Sequence, residues 1–349
     1  MPVPGEKASV VSVENIQNGL PADAVLVEYF VARDEILVFV ISHNAATVRR
    51  HLCTLSQVQA LNDQLRLNLD KFLIGDEYVR QYEKALQQTV EQCLDKLYCL
   101  LIQPIENLLD GAHLIVVPHD TLHYVPFHAL RDRGQYLIDR FTVSYAPSAS
   151  VWWCCMKSEP VQSGSATIIG VPDHRAPLIA DEVNRLYEML PDARLFYGAR
   201  ATRHVISQEV TKSHCVHFAS HVIFRPDQPM NSSLTLADGA LTAMDLYSMK
   251  CHTNLVTLSG CNSGMSTLAE ADELLGLIRG FLCAGARSLI LSLWPVNDRA
   301  TLLFMKTFYA AWLGGRTKSQ ALREAACTVR DEHPHPYFWA PFFLAGDFQ

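Results

Sequence analysis

From residue 113 onward the chain repeats one pattern: a short apolar run bounded by turn residues, then a longer stretch with apolar positions three and four apart. Runs near 113–117, 136–145, 166–170, 194–197, 214–218, 254–258 and 287–292 are expected as strands. Stretches near 148–157, 178–190, 202–212, 242–248, 271–284, 298–313 and 317–331 are expected as helices. Strand–helix–strand succession of this kind implies right-handed crossovers, hence a mostly parallel sheet with helices on both faces. The fold class is therefore α/β. Phe342-Phe343-Leu344-Ala345-Gly346 is expected to add a last strand.

The preceding part reads differently. Residues 1–22 are polar and rich in proline and glycine, a loose lead-in. Two alternating runs, Ala24 to Val31 and Glu35 to Ile41, flank Ala32-Arg33-Asp34 and predict a β-hairpin, with a further strand around Thr47 to Leu52. Residues 54–70 and 78–109 carry helical periodicity, for example Leu86, Val90, Cys93, Leu94, Leu97, Leu101 and Ile105, with Pro104 kinking or ending the second helix. Two parts follow from this, 23–160 and 161–349, with no internal repeat between them.

Composition removes several function classes. A formal charge of −7 and a pI near 6.0, without a lysine or arginine cluster, argue against nucleic acid as a partner. No run approaches the roughly 18 uninterrupted apolar residues of a membrane span, and the N-terminus lacks the apolar centre of a signal peptide. The ten cysteines form neither CxxC pairs nor a dense scaffold, which fits a reducing cytoplasm. The adjacent Cys154 and Cys155 read as packing residues. No Walker A run or GxGxxG opening a helix marks a nucleotide site, so no cofactor is expected.

Two strand ends carry the chemistry. Val216-His217-Phe218-Ala219-Ser220-His221 ends in an imidazole, and 40 residues later Leu255-Val256-Thr257-Leu258-Ser259-Gly260-Cys261-Asn262-Ser263-Gly264 ends in a thiol bracketed by glycines. In an open α/β sheet, residues leaving the strand ends line the usual site. An ordinary thiol, with a pKa of about 8.5, is mostly protonated at neutral pH, and an adjacent imidazole converts it to the nucleophilic thiolate. His221 and Cys261 are thus expected to serve as the base and nucleophile of a cysteine peptidase. Asn262 stands where a nucleophile elbow would place its serine, which disfavours a serine hydrolase.

The chain resembles the CHAT domain, a caspase-like peptidase family related to separases and caspases and named for its association with helical-repeat proteins. The resemblance is carried by Leu114 to Asp120, Leu122 to Leu130, Tyr145-Ala146-Pro147-Ser148, His217 to His221, Leu234 to Gly239, Leu258 to Gly264, Gly285 to Ile290 and Leu293 to Asp298, in that order. It implies a caspase-like, mostly parallel sheet flanked by helices, with the N-terminal hairpin and helical layer beside it. It also implies a cysteine endopeptidase acting on a protein substrate, with His221 and Cys261 as its dyad. The order histidine then cysteine, about 50 residues apart, is the caspase arrangement. An upstream sensor or helical-repeat partner that switches the enzyme on, and a setting in stress or defence signalling, are implied by the resemblance alone. The family usually has glycine after the histidine, where its amide is thought to serve the oxyanion hole; here Val222 follows, with Cys261 as the second backbone donor. A β-branched residue does not adopt positive φ cheaply, which leaves an inactive protein-binding scaffold as the alternative.

Other residues have plainer readings. Glu270, Asp272 and Glu273 open a helix, where the dipole favours acids, and Glu270 and Asp272 are also candidates for recognising a basic substrate group. Trp294 is a candidate wall of the substrate pocket. Asn297 and Asp298 read as a helix N-cap and first-turn residue. Asp238-Gly239 reads as a hairpin turn. His217 reads as structural. His113, His119, His123 and His128 suggest no metal, because their segment is not helical and i, i+4 spacing does not align rings there; His119 and Asp120 are expected to border the cleft.

Overall fold

A computed structural model describes residues 11–161, 165–173, 176–223, 225, 228–260 and 272–349, with the side chains of 272–274 outside the description. The N-terminal half comprises α1 (Val13–Gly19), β1 (Ala24–Ala32), β2 (Glu35–Ile41), β3 (Ala46–Thr54), α2 (Leu55–Asp70), α3 (Asp76–Leu101) and β4 (His113–Val117). It continues with the small pair β5 (Arg131–Asp132) and β6 (Gln135–Tyr136), then α4 (Leu137–Arg140), β7 (Thr142–Tyr145) and α5 (Ala149–Lys157). The C-terminal half begins with β8 (Ser165–Gly170), α6 (Ile179–Met189), β9 (Arg194–Tyr197), α7 (Arg203–Glu209) and β10 (Ser213–Ala219). A three-stranded flap follows, β11 (Val222–Ile223), β12 (Ser233–Leu236) and β13 (Gly239–Thr242), then α8 (Ala243–Ser248), β14 (Leu255–Leu258) and α9 (Asp272–Ala284). The chain closes with β15 (Ser288–Ser292), α10 (Asp298–Leu313), α11 (Lys318–Glu332), α12 (Pro336–Trp339) and β16 (Phe342–Gly346).

Eleven strands form one sheet in the order β3-β2-β1-β4-β7-β16-β15-β14-β10-β8-β9. The last strand of the chain joins the halves: β16 pairs with β15 antiparallel through five residues and with β7 in parallel at Ala345 and Tyr145. Strands β8, β9, β10, β14 and β15 are mutually parallel, as are β1, β4, β7 and β16. The two sets therefore run in opposite directions, and the carboxyl ends of β4 and β10 lie at opposite edges of the sheet. The expectation that His119 and Asp120, just beyond β4, border the cleft is corrected by this reversal.

Local chemistry explains the elements. The strands β4, β14 and β15 are buried along their whole length, as continuous apolar runs must be when both faces of a sheet are covered. Burying each of their valine, leucine and isoleucine side chains contributes roughly 1.5–3 kcal/mol. The capping box of Thr54 and Gln57 starts α2. In α3 the stripe Leu86, Val90, Cys93, Leu94, Leu97 and Leu101 is buried, and the helix ends at Leu101 before a 3₁₀ turn, Gln103–Leu108, that carries Pro104.

Two expectations are revised. The stretch 136–145 is not one strand, because the Asp139 carboxylate accepts the Tyr136 amide at 2.9 Å and winds 137–140 into a helical turn before β7. The lead-in contains α1, capped by the Ser12 side chain and anchored by buried Ile16 and Leu20.

Candidate active site

His221 leaves β10 at the carboxyl edge of the sheet and is buried. Its position is fixed on three sides. The Thr235 amide of β12 donates to the His221 carbonyl at 2.9 Å. The Val171 amide, just past β8, donates to Ala219 at 3.0 Å. On the remaining side the Ser259 amide donates to the Phe218 carbonyl at 3.0 Å, which keeps the ends of β14 and β10 in step. Gly260 then passes so close to Ser220 that a Cβ there would overlap the Ser220 carbonyl oxygen. Glycine at 260 is required by this approach.

The imidazole has an acidic neighbour that the sequence reading did not single out. Nε2 of His221 stands 2.6 Å from Oδ2 of Asp173, on the loop after β8. The Ala176 amide donates to the Asp173 carbonyl at 3.1 Å and holds that loop in place. A second acid, Asp298 in the first turn of α10, feels the charge of His221; burial raises its carboxyl pKa, opposed by a backbone hydrogen bond with Leu178. A small pocket beside His221 is lined by Ile179, Glu182, Ser220, Gly260, Asp298 and Thr301.

Beneath the site lies a buried polar network. Nε2 of His217 is 2.8 Å from Oε1 of Glu182 and 3.2 Å from Oγ of Ser259, and Nδ1 is 3.2 Å from the Tyr309 hydroxyl. Tyr309 donates onward to Thr257 at 2.9 Å, and burial pushes its phenol well above the ordinary value. His217 is thus a structural residue that ties α6, β10, β14 and α10 together under the segment leading to Cys261. Unpaired polar groups at this depth would each cost about 1–3 kcal/mol, so the network specifies a single arrangement.

Cys261 and Glu270 lie outside the described residues. Asp272 opens α9, with its side chain outside the description. Val222 is an extended residue of β11, in register with Leu234, and is absent from the described non-glycine residues with positive φ. Trp294 is buried and donates its indole N–H to the Tyr337 carbonyl at 3.0 Å; it does not line the small pocket beside His221. Asn297 caps α10 through the amides of Arg299 and Ala300, as expected.

Three of the histidines after residue 112 have partners of their own. His113 bonds Thr142 and Ser144, His119 accepts the Val31 amide, and His128 bridges the Tyr145 hydroxyl and the Ala340 carbonyl. Among the described residues, no group of three or more histidine, cysteine, aspartate or glutamate side chains could hold a metal ion, and no helix is long and apolar enough to cross a membrane.

This sheet, and the strand ends that present His221 beside Gly260, define a caspase-like α/β fold. Two crystal structures of the separase–securin complex from Saccharomyces cerevisiae share it. They align with TM-scores of 0.66 and 0.69 over 96% and 95% of this chain and 30% of separase, at 10% and 9% identity. The CHAT domain family model matches residues 91–347, and the chain belongs to that family. Tetratricopeptide repeat protein 28 of Mus musculus and of Homo sapiens are each 29% identical to it over 321 residues. The matches cover 72% of this chain and 13% of those proteins, so the chain spans a small fraction of its curated relatives.

Proposed function

We propose that this domain is a cysteine endopeptidase in which His221 and Cys261 act as base and nucleophile on a protein substrate. The observation that carries the reading is the approach of Gly260 to the Ser220–His221 segment. Cys261 is the next residue in the sequence, and this adjacency supports pairing it with His221. His221 takes the thiol proton as sulfur attacks the peptide carbonyl, whose oxygen becomes an oxyanion held by the amides of Cys261 and Val222. The imidazolium then protonates the leaving amine as the C–N bond breaks, leaving a thioester that water hydrolyses.

In support of the reading, Val222 is extended and retains its backbone amide. Glu270 and Asp272 are proposed to favour a basic substrate group. A helical-repeat segment or partner as activator is supported by the names of the relatives and by the small share of them that this chain covers.

The test is a proteome-wide profile of new N-termini after addition of the protein, compared with Cys261→Ala and His221→Ala. Cleavages present with the native chain and lost in both variants are expected. If repeat-containing chains that carry this domain produce none, the reading as an inactive scaffold takes its place.

A further inference from the structure

We infer that the amino edge of the C-terminal half of the sheet carries a binding site for a small organic carboxylate with a flat apolar body. The site is separate from the candidate active site and does not rest on the peptidase reading. His214 stands near the start of β10 and His221 just past its end, so the two lie at opposite ends of one strand.

The first observation is a cavity of about 550 Å³, lined by Ala166 of β8, His214 and Cys215 of β10, and Asn254 and Arg287 at the entries to β14 and β15. These strands are mutually parallel, so their amino ends meet at one edge. Trp312 from the end of α10, Lys318 from the start of α11 and Asp347 from beyond β16 complete the wall. The volume suits one small molecule.

The second is the charge of that wall. Lys318 and Arg287 each stand 2.9 Å from Oδ2 of Asp347, and all three residues are buried. Burial lowers the Lys318 ammonium, and the Asp347 carboxylate opposes that shift. Among the described side chains that line the cavity, Asp347 is the one acid, so an ammonium and a guanidinium share a single negative charge. Nε of Arg287 is also buried without a hydrogen-bond partner. Excess positive charge at this depth is costly unless an anion balances it. One carboxylate does so and matches the donor fork of a guanidinium, whereas a doubly charged phosphate exceeds the need.

The third is the apolar surface beside those cations. The His214 ring stacks on Trp312 with centroids 5.3 Å apart and planes 19° apart. Leu190, Pro191 and Leu313 extend this surface. It is held in place before any ligand arrives. Nδ1 of His214 lies 3.1 Å from the Val161 carbonyl, and the Asn254 side chain clasps Val161, accepting its amide and donating to its carbonyl, both at 2.8 Å. A fixed aromatic surface beside an unbalanced cation recognises a flat body that ends in an acid. An ion cluster serving stability alone needs neither the extra cation nor a cavity beside it.

The test is titration of the full chain with indole-3-acetate and 1-naphthoate, followed by saturation-transfer NMR of the ligand. Indole-3-acetamide, which lacks the charge, and acetate, which lacks the flat body, are the controls. For the two aromatic carboxylates a Kd in the millimolar range or tighter is expected, the affinity that about a dozen non-hydrogen atoms supply. Both controls are expected to bind about tenfold more weakly or worse. Lys318→Met leaves Arg287 and Asp347 as a neutral pair and should weaken indole-3-acetate by about tenfold or more. Trp312→Leu removes the ring while sparing the ion cluster and should weaken it by roughly three- to tenfold, which keeps the inference testable where Lys318→Met does not fold. No binding of either aromatic carboxylate overturns the inference, as does equal binding of either control. Affinity unchanged in Trp312→Leu, or in folded Lys318→Met, places the ligand elsewhere and overturns it as well.

Discussion

Gly260 lies against the carbonyl of Ser220 so closely that no side chain fits between them. The contact joins the ends of two neighbouring parallel strands, β10 and β14, next to His221, the proposed base, and one residue before Cys261, the proposed nucleophile, in the sequence. Gly260→Ala must push the two strand ends apart. Overpacking of this kind costs about 1–3 kcal/mol, and the disturbance falls beside the residues proposed to exchange a proton. A lower unfolding midpoint together with loss of selective Cys261 alkylation is expected, with urea titration and mass spectrometry as the checks.

The buried pair of Glu182 and His217 predicts a non-additive result. Removing one partner leaves a polar or charged group stranded at depth and costs roughly 3–5 kcal/mol if the pair is ionised. His217→Leu and Glu182→Leu should each destabilise strongly, and the double variant should lose less than the two singles together. Additive losses in equilibrium unfolding would contradict the pairing.

Four histidines set an acid limit on stability. Burial lowers His113 and His123 to about 3, and His128 and His335 to about 4, from an ordinary 6.5. Nearby Arg279 and His119 add to the lowering at His123, while the Ala340 carbonyl opposes it at His128. The unfolded chain protonates first as pH falls below 6.5, so stability is fully present above that value and is lost down to pH 3–4. Each such group contributes at most about 1.4 kcal/mol per pH unit within the window. Unfolding midpoints measured from pH 7.5 to 4.5 should fall progressively below 6.5, and His128→Gln should flatten the slope.

Much of this fold is legible in the sequence. The apolar runs of β4, β8, β10, β14 and β15 mark buried strands, and the Leu86-to-Leu101 stripe marks the buried face of α3. The reversal of direction at β16 is not written in periodicity, because a buried run reads the same in a parallel or antiparallel neighbourhood. That is why His119 and His221 fall on opposite edges despite similar strand-end settings. The turn at 137–140 was hidden because Tyr136, Leu137, Ile138 and Phe141 look like a strand until the Asp139 cap is noticed. A similar signal, Ser12 ahead of Ile16 and Leu20 at helical spacing, marks α1 in a stretch dominated by its proline and glycine content.

The site shows the same division. The position of His221 just past a strand end is legible in the sequence, whereas Asp173 meets it only after two strands align, a contact between residues far apart in sequence. Its one local signal is its place just past Gly170, at the end of a buried run.

At the other edge of the sheet, Asp347 accepts from Arg287 and Lys318, both at 2.9 Å, and all three are buried. Burial lowers the Lys318 ammonium and the nearby carboxylate opposes that shift. Asp347→Ala leaves two cations without their counter-charge and is expected to cost about 3–5 kcal/mol, read by urea unfolding. Trimming the pair's cation with Lys318→Met should cost less, because Arg287 still balances the acid.

The central claim, that His221 activates the thiol of Cys261, is tested most directly by comparing iodoacetamide labelling rates of the ten cysteines at neutral pH. The account predicts that Cys261 reacts far ahead of the buried Cys155, Cys215 and Cys251, whose thiols burial pushes up to about 12, and ahead of exposed Cys99. It further predicts that this lead collapses in His221→Ala. Labelling of Cys261 at the pace of Cys99, unchanged by the variant, would contradict it.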